Sequence, residues 1–182
     1  LIISLIIISI YLSFLLDFLV WPIDSEASTQ SLTQRTSGAR LFLLWLVFIL
    51  SLVGYMVPLV IAILRFGDQD FNSVDVLAIS GAFMAILGRA ITTIGALTLR
   101  SNLAVLKTAS IFSISRNPIS LGMHMTFIGL IVICDVWWLL LAFAFYVINI
   151  DLKITLEEKA LAEKFGKPYL DYKSKTSKYL LI

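Results

Sequence analysis

The sequence predicts an all-α integral membrane protein, a bundle of about five transmembrane helices with a C-terminal cytoplasmic amphipathic helix. Three observations predict it. The 182 residues are 59% hydrophobic and 14% charged, with a mean hydropathy of +0.96, too little polar surface to cover a water-soluble domain. Apolar stretches recur that approach or reach the ~20 residues a helix needs to cross a bilayer. Their connections are short, so 1–182 reads as a single domain, with N-terminal spans in 1–99 and a second half in 100–182.

Leu1 to Trp21 is the first apolar run; it lacks a basic leader and a small-residue cleavage site, and reads as a span. Pro22 and a Ser-, Thr- and Gln-rich stretch from Asp24 to Arg40 form a loop. Leu41 to Leu64 is the second span, and Pro58 within it predicts a kink. Arg65 to Asp75 is a polar turn. Val74 to Leu99 is the third span, where Ala78, Gly81, Ala85, Gly88, Thr92 and Gly95 recur every three or four residues and share one face. Helices in lipid associate by close packing, so such a stripe predicts tight contact inside the bundle.

Arg100 to Ser115 is too polar to span and is placed at the surface. Pro118 starts a helix at a position where its missing N–H does no harm. Ile119 to Cys134 and Val136 to Ile150 are each short for a span and are separated by Asp135, which predicts a hairpin that crosses and returns. Trp137 and Trp138 beside the turn suit an interface. Beyond Asp151, Thr155 and Glu158 have capping-box spacing, Leu161 and Phe165 share a face, and Gly166 suits a helix terminator. This predicts a short amphipathic helix on the membrane surface.

Basic residues orient the bundle. Arg35 and Arg40 precede the second span, Arg100, Lys107 and Arg116 lie between the third and fourth, and seven lysines follow the fifth. The Arg65–Asp75 loop carries one Arg and three Asp. The positive-inside rule therefore expects a multi-pass protein with an external N-terminus and a cytoplasmic C-terminus. The net charge of +2 and the absence of any nucleic-acid motif exclude a nucleic-acid partner. Cys134 is the only cysteine, so no internal disulfide or cysteine-based metal site is expected. No metal site is predicted.

The stretch Phe112-Ser-Ile-Ser-Arg-Asn-Pro-Ile-Ser-Leu-Gly122 is followed, after the hairpin, by Glu157-Glu158 and Phe165-Gly-Lys-Pro-Tyr169-Leu-Asp-Tyr172. This ordered set resembles the isoprenylcysteine carboxyl methyltransferase and phospholipid methyltransferase families over about residues 105 to 180. A hairpin that crosses and returns puts Arg116-Asn117-Pro118 and Glu157-Glu158 on one side of the membrane, the one expected to be cytoplasmic. The resemblance implies a membrane-embedded methyltransferase using S-adenosylmethionine, with 100–182 as the cofactor-binding half. It implies that Arg116, Asn117, Pro118, Gly122, Glu157 and Glu158 line the cofactor pocket, that Tyr169 and Tyr172 close it, and that Arg116, Glu157 and Glu158 serve catalysis. The expected partners are membrane lipids and a lipophilic acceptor, either a carboxylate of the prenylated-cysteine kind or a lipid head group. Ser110-Ile-Phe112 stands where these families commonly carry Gly-Pro-aromatic, and Ser120 where a Tyr follows Arg-Asn-Pro. These departures leave open a non-catalytic protein that kept the family fold.

Three residues with charged or imidazole side chains, Asp17, Arg89 and His124, fall within spans. Asp17 and Arg89 are costly there and are expected to reach for the interface. His124, the one histidine, is expected to be hydrogen-bonded inside the bundle, with a role as a base as the alternative.

Overall fold

A computed structural model describes residues 1–20, 38–100 and 105–180, and all regular structure among them is helical. In chain order the helices are α1 (Ile2–Val20), α2 (Gly38–Leu64), α3 (Val76–Arg100), α4 (Pro118–Cys134), α5 (Leu139–Phe165) and α6 (Lys167–Lys175), with a single 3-10 turn at Ser110–Ser113. Three segments are long and apolar enough to cross a membrane: Trp45–Leu64, Val76–Leu99 and Leu139–Phe165. The apolar helices Ile2–Leu15 and Pro118–Cys134 are shorter. Most of the loop expected after the first span, with Arg35, lies outside the described residues, as do the side chains of Asp17 and Arg40.

The tightest crossing joins α3 to α4, and the small-residue stripe explains it. A Cβ built on Gly88 would lie 2.5 Å from the Gly122 carbonyl oxygen, and one on Gly122 would lie 2.5 Å from that of Gly88. One turn pair further along, a Cβ on Gly81 would approach the Gly129 oxygen to 2.9 Å. Glycines thus face glycines across the seam. Thr92 and Thr126 are fully buried beside them and direct their hydroxyls to helix carbonyls, Gly88 at 3.0 Å and Gly122 at 2.8 Å. With no hydrophobic drive between helices in lipid, this backbone proximity supplies the dispersion contact that holds the pair.

The other helices close the bundle through larger side chains. Tyr55 of α2 packs edge-on against Phe127 of α4 and stacks with Tyr146 of α5, and the Tyr11 hydroxyl of α1 donates to the Tyr55 carbonyl. At the start of α1 the Ser4 N–H, an orphan of the first helical turn, donates to Asn72 Oδ1 at 3.0 Å.

Arg89 departs from expectation. It is 6% exposed, far from snorkelling outward, and its guanidinium donates to the Ser13 hydroxyl at 2.8 Å and the Ser13 carbonyl at 3.0 Å while lying 3.9 Å from the centre of the Phe14 ring. A partner on α1 removes the need to reach water, and the charge becomes a tie between α1 and α3.

The hairpin forms as its spacing predicts. Asp135 ends α4 in the left-handed region (φ 52°, ψ 41°), and its carboxylate accepts from the Trp137 indole at 2.6 Å. The separate surface helix expected from Thr155 does not form. α5 runs unbroken from Leu139 to Phe165, and the Thr155 hydroxyl donates back to the Asp151 carbonyl at 2.8 Å in place of capping a new helix. Nothing between Ile150 and Thr155 breaks a helix, so propagation wins over the local cap. Gly166 does terminate it, at φ 58°, and Pro168 then opens α6. Two polar ends result: residues 65–78 meet the turn at 132–135 at one, and residues 105–117 meet 157–172 at the other.

Candidate functional site

The second of these ends holds a cavity of about 170 Å³. Its floor begins at the 3-10 turn. Ser110 enters that turn at φ 59°, a conformation that costs an L-residue with a Cβ roughly 1 kcal/mol and suits Gly. That is a physical reason for the glycine common at this position in the resembling families. The turn buries Phe112 and aims its carbonyl at the Tyr172 hydroxyl, which donates to it at 2.6 Å.

Arg116 and Asn117 follow on the approach to α4. Asn117 precedes Pro118, whose missing N–H costs nothing in the first turn, and enters the helix at φ −129°, ψ 58°. The Arg116 side chain crosses to α5, where Nη2 lies 3.4 Å from Glu158 Oε1, and both side chains are about 10% exposed. Lys173 of α6 reaches the other carboxylate oxygen, Nζ to Oε2 at 2.8 Å. Charges this deeply placed need full hydrogen bonding to repay desolvation, and here it is incomplete. Arg116 Nε, Arg116 Nη1 and Glu158 Oε1 are buried without a hydrogen-bond partner. These atoms are unmet donors and an unmet acceptor on two residues that line the cavity.

Glu157 lines the same cavity but is exposed, at its rim. Tyr169 is 1% exposed and its ring lies 6.2 Å from that of Tyr172. Burial pushes the phenols of both up to about 12, with the Glu158 carboxylate adding to the rise, so both remain donors at neutral pH. The wall is apolar, built from Leu99, Val105, Leu106, Phe112, Leu161 and Phe165, and Lys107 and Lys164 complete the lining.

Six of the residues expected at the site therefore come together: Arg116, Asn117, Glu157, Glu158, Tyr169 and Tyr172. Pro118 and Gly122 do not line the cavity. Pro118 is buried at the first position of α4 and Gly122 lies in the α3 seam against Thr92. Lys173 was not among the residues expected at the site, although Tyr169, Tyr172 and Lys173 have the spacing of one helical face. Nor was the C-terminal segment. The Arg116 N–H donates to the Ser177 carbonyl at 3.0 Å, and Ser115 Oγ and Asn117 Nδ2 both donate to that of Lys178, at 3.2 and 3.1 Å.

Comparison with known families finds a match, described as phospholipid methyltransferase, over residues 76–168. The matched region runs from the first residue of α3 to the start of α6, just over half of the chain, and contains the Arg116 and Glu157-Glu158 blocks. No curated protein and no solved structure matches the sequence. With a glycine seam that fixes the hairpin, a buried Arg116–Glu158 pair at its polar end and a family match spanning both, this chain belongs to the phospholipid methyltransferase family of membrane methyltransferases.

Proposed function

We propose that the chain transfers a methyl group from S-adenosylmethionine to a lipophilic acceptor entering from the bilayer, with a phospholipid head group favoured by the family description. The observation that carries the donor assignment is the set of unmet polar atoms at the Arg116–Glu158 pair. A carboxylate suits the free Arg116 N–H groups and an ammonium suits Glu158 Oε1, and S-adenosylmethionine carries both on one α-carbon. The aromatic and aliphatic wall suits a nucleoside base. The sulfonium methyl is intrinsically activated, so the protein's task is alignment and exclusion of water.

In this reading Arg116 and Glu158 bind and orient the donor, Asn117 and Glu157 complete its polar surround, and Tyr169 and Tyr172 close over it from α6. The ion pair is the internal stand-in for ligand charges, and binding exchanges it for two ligand pairs. The site opens to the cytoplasm, where the charged donor is made, in keeping with the basic residues around it. The whole chain acts as one unit, its N-terminal spans shaping the acceptor's approach. Binding of S-adenosylmethionine to detergent-purified protein, followed by transfer of a labelled methyl group into mixed phospholipid or prenylcysteine acceptors, tests the reading. Donor binding with label in either acceptor is expected; absence of donor binding would contradict it.

A further inference from the structure

Two turns deeper along the same helices lies a second polar cluster that donor binding does not use. His124 stands seven residues beyond Asn117 on α4, and Asp151 seven before Glu158 on α5, so each pair shares a helix face. The two layers are roughly 10 Å apart at ~1.5 Å of rise per residue. In the deeper layer the His124 ring packs against Phe143 (centroids 5.9 Å), Tyr146 (5.7 Å) and Tyr179 (5.3 Å). His124 Nε2 and the Tyr146 hydroxyl are both buried and both without a hydrogen-bond partner. Tyr146 is 6% exposed. Just above them the Tyr179 hydroxyl donates to Asp151 Oδ1 at 3.3 Å, and Lys178 Nζ pairs with the same carboxylate.

Unmet polar atoms inside a bilayer protein are expensive, and two in one aromatic cluster call for a ligand. The chemistry of the cluster selects its class. Ring faces and a carboxylate recognise an alkylammonium, and the structure already seats one there, the Lys178 side chain on Asp151 beside the Tyr179 ring. A lipid amine is the membrane-borne group of that kind.

The geometry points to His124 as the proton-accepting residue for an amine-bearing lipid head group, its unpartnered Nε2 taking the N–H proton whose loss frees the nitrogen for methylation. This rests on the methyl-transfer reading above. The bound alkylammonium first gives one N–H proton to His124 Nε2, which frees the nitrogen lone pair. That nitrogen then forms a bond to the methyl carbon while the carbon–sulfur bond breaks and its electron pair stays on sulfur; the methylated nitrogen leaves as an ammonium, and the proton on His124 passes to water. The charged and titratable groups facing the imidazole are Asp151 and Tyr146 from α5 and Lys178 and Tyr179 from the C-terminal segment, with Tyr55 of α2 stacked behind Tyr146. Asp151 steadies the imidazolium once formed, and the phenols hold it in place.

His124 is the one histidine of the chain, so ¹⁵N-histidine labelling reports this residue alone. Full-length protein in nanodiscs of dioleoylphosphatidylglycerol, then with dioleoylphosphatidylethanolamine added, is the primary test. The Nε2 resonance should move on addition of the amine lipid. In parallel, His124→Gln should keep the affinity for S-adenosylmethionine within twofold and lower turnover of the amine lipid at least 100-fold, the range general bases supply. An unmoved resonance, or turnover within threefold of wild type in His124→Gln, would overturn the assignment while donor binding leaves methyl transfer standing. Failure of the wild-type protein to bind the donor would overturn both.

Discussion

Arg116 and Glu158 meet across the α4–α5 hairpin, Nη2 to Oε1 at 3.4 Å, with one partner just before the helix that enters the bundle and the other on the helix that leaves it. The contact depends on everything beneath it. If α3 and α4 stood further apart, or if α5 broke at Thr155, the carboxylate would not reach the guanidinium. The glycine seam, the Asp135 turn and the uninterrupted α5 are thus the parts of the fold that the site needs.

The seam gives the first prediction. At Gly88 an added Cβ meets backbone, the Gly122 oxygen at 2.5 Å and the Thr126 nitrogen at 2.6 Å, whereas at Gly95 the nearest atom is the movable Ile119 Cγ1 at 2.8 Å. Gly88→Ala should cost about 1–3 kcal/mol by overpacking and Gly95→Ala clearly less. Thermal unfolding in one detergent ranks the two, and equal melting temperatures would refute the backbone-contact argument.

Tyr172 gives a pH prediction. Burial holds its phenol up at about 12, against an ordinary value of 10.0, with Arg116 opposing and Tyr169 and Glu158 adding to the rise. A raised pKa favours the protonated form in the folded state, so its contribution is complete below pH 10 and is lost as pH rises through 12. Tyr172→Phe removes both the bond to the Phe112 carbonyl and this titration. It should lower stability by about 1 kcal/mol at pH 7, and the gap from wild type should narrow between pH 10 and pH 12. Chemical denaturation across that range measures it.

Topology gives a third. In a Cys134→Ala background, a cysteine at Asp70 should react with an impermeant reagent added outside intact cells, and one at Ser174 only after the membrane is opened. Both positions are exposed in the fold. Labelling of Ser174→Cys from outside would reverse the orientation and with it the cytoplasmic access proposed for the donor.

Much of this was legible in the residues. The three-and-four spacing from Ala78 to Gly95 marked the seam because small side chains at that period serve close approach and little else in lipid. The motif blocks at Arg116 and Glu158 were brought together by counting the length of one hairpin. What failed did so for local reasons. Thr155 and Glu158 fit a capping box, but a cap signal competes with a helix already propagating from Leu139, and propagation costs less than a new start. Arg89 was expected to seek water because its partner, Ser13, lies on a helix that no sequence pattern ties to α3. The C-terminal segment contributes mainly backbone carbonyls, which every residue type carries. Gly122 matched a motif yet sits in the packing, because the glycine of a motif marks where backbone must come close and does not say to what.

The central claim is that the Arg116–Glu158 pair is the donor's amino-acid clamp, and calorimetry of S-adenosylmethionine binding to wild-type protein and to Glu158→Ala tests it most directly. The account predicts saturable one-to-one binding to wild type and a 10- to 100-fold weaker affinity for the variant, about 1.4–2.7 kcal/mol, with folding disturbed less than binding. Equal affinity of the two proteins with intact melting profiles would contradict it.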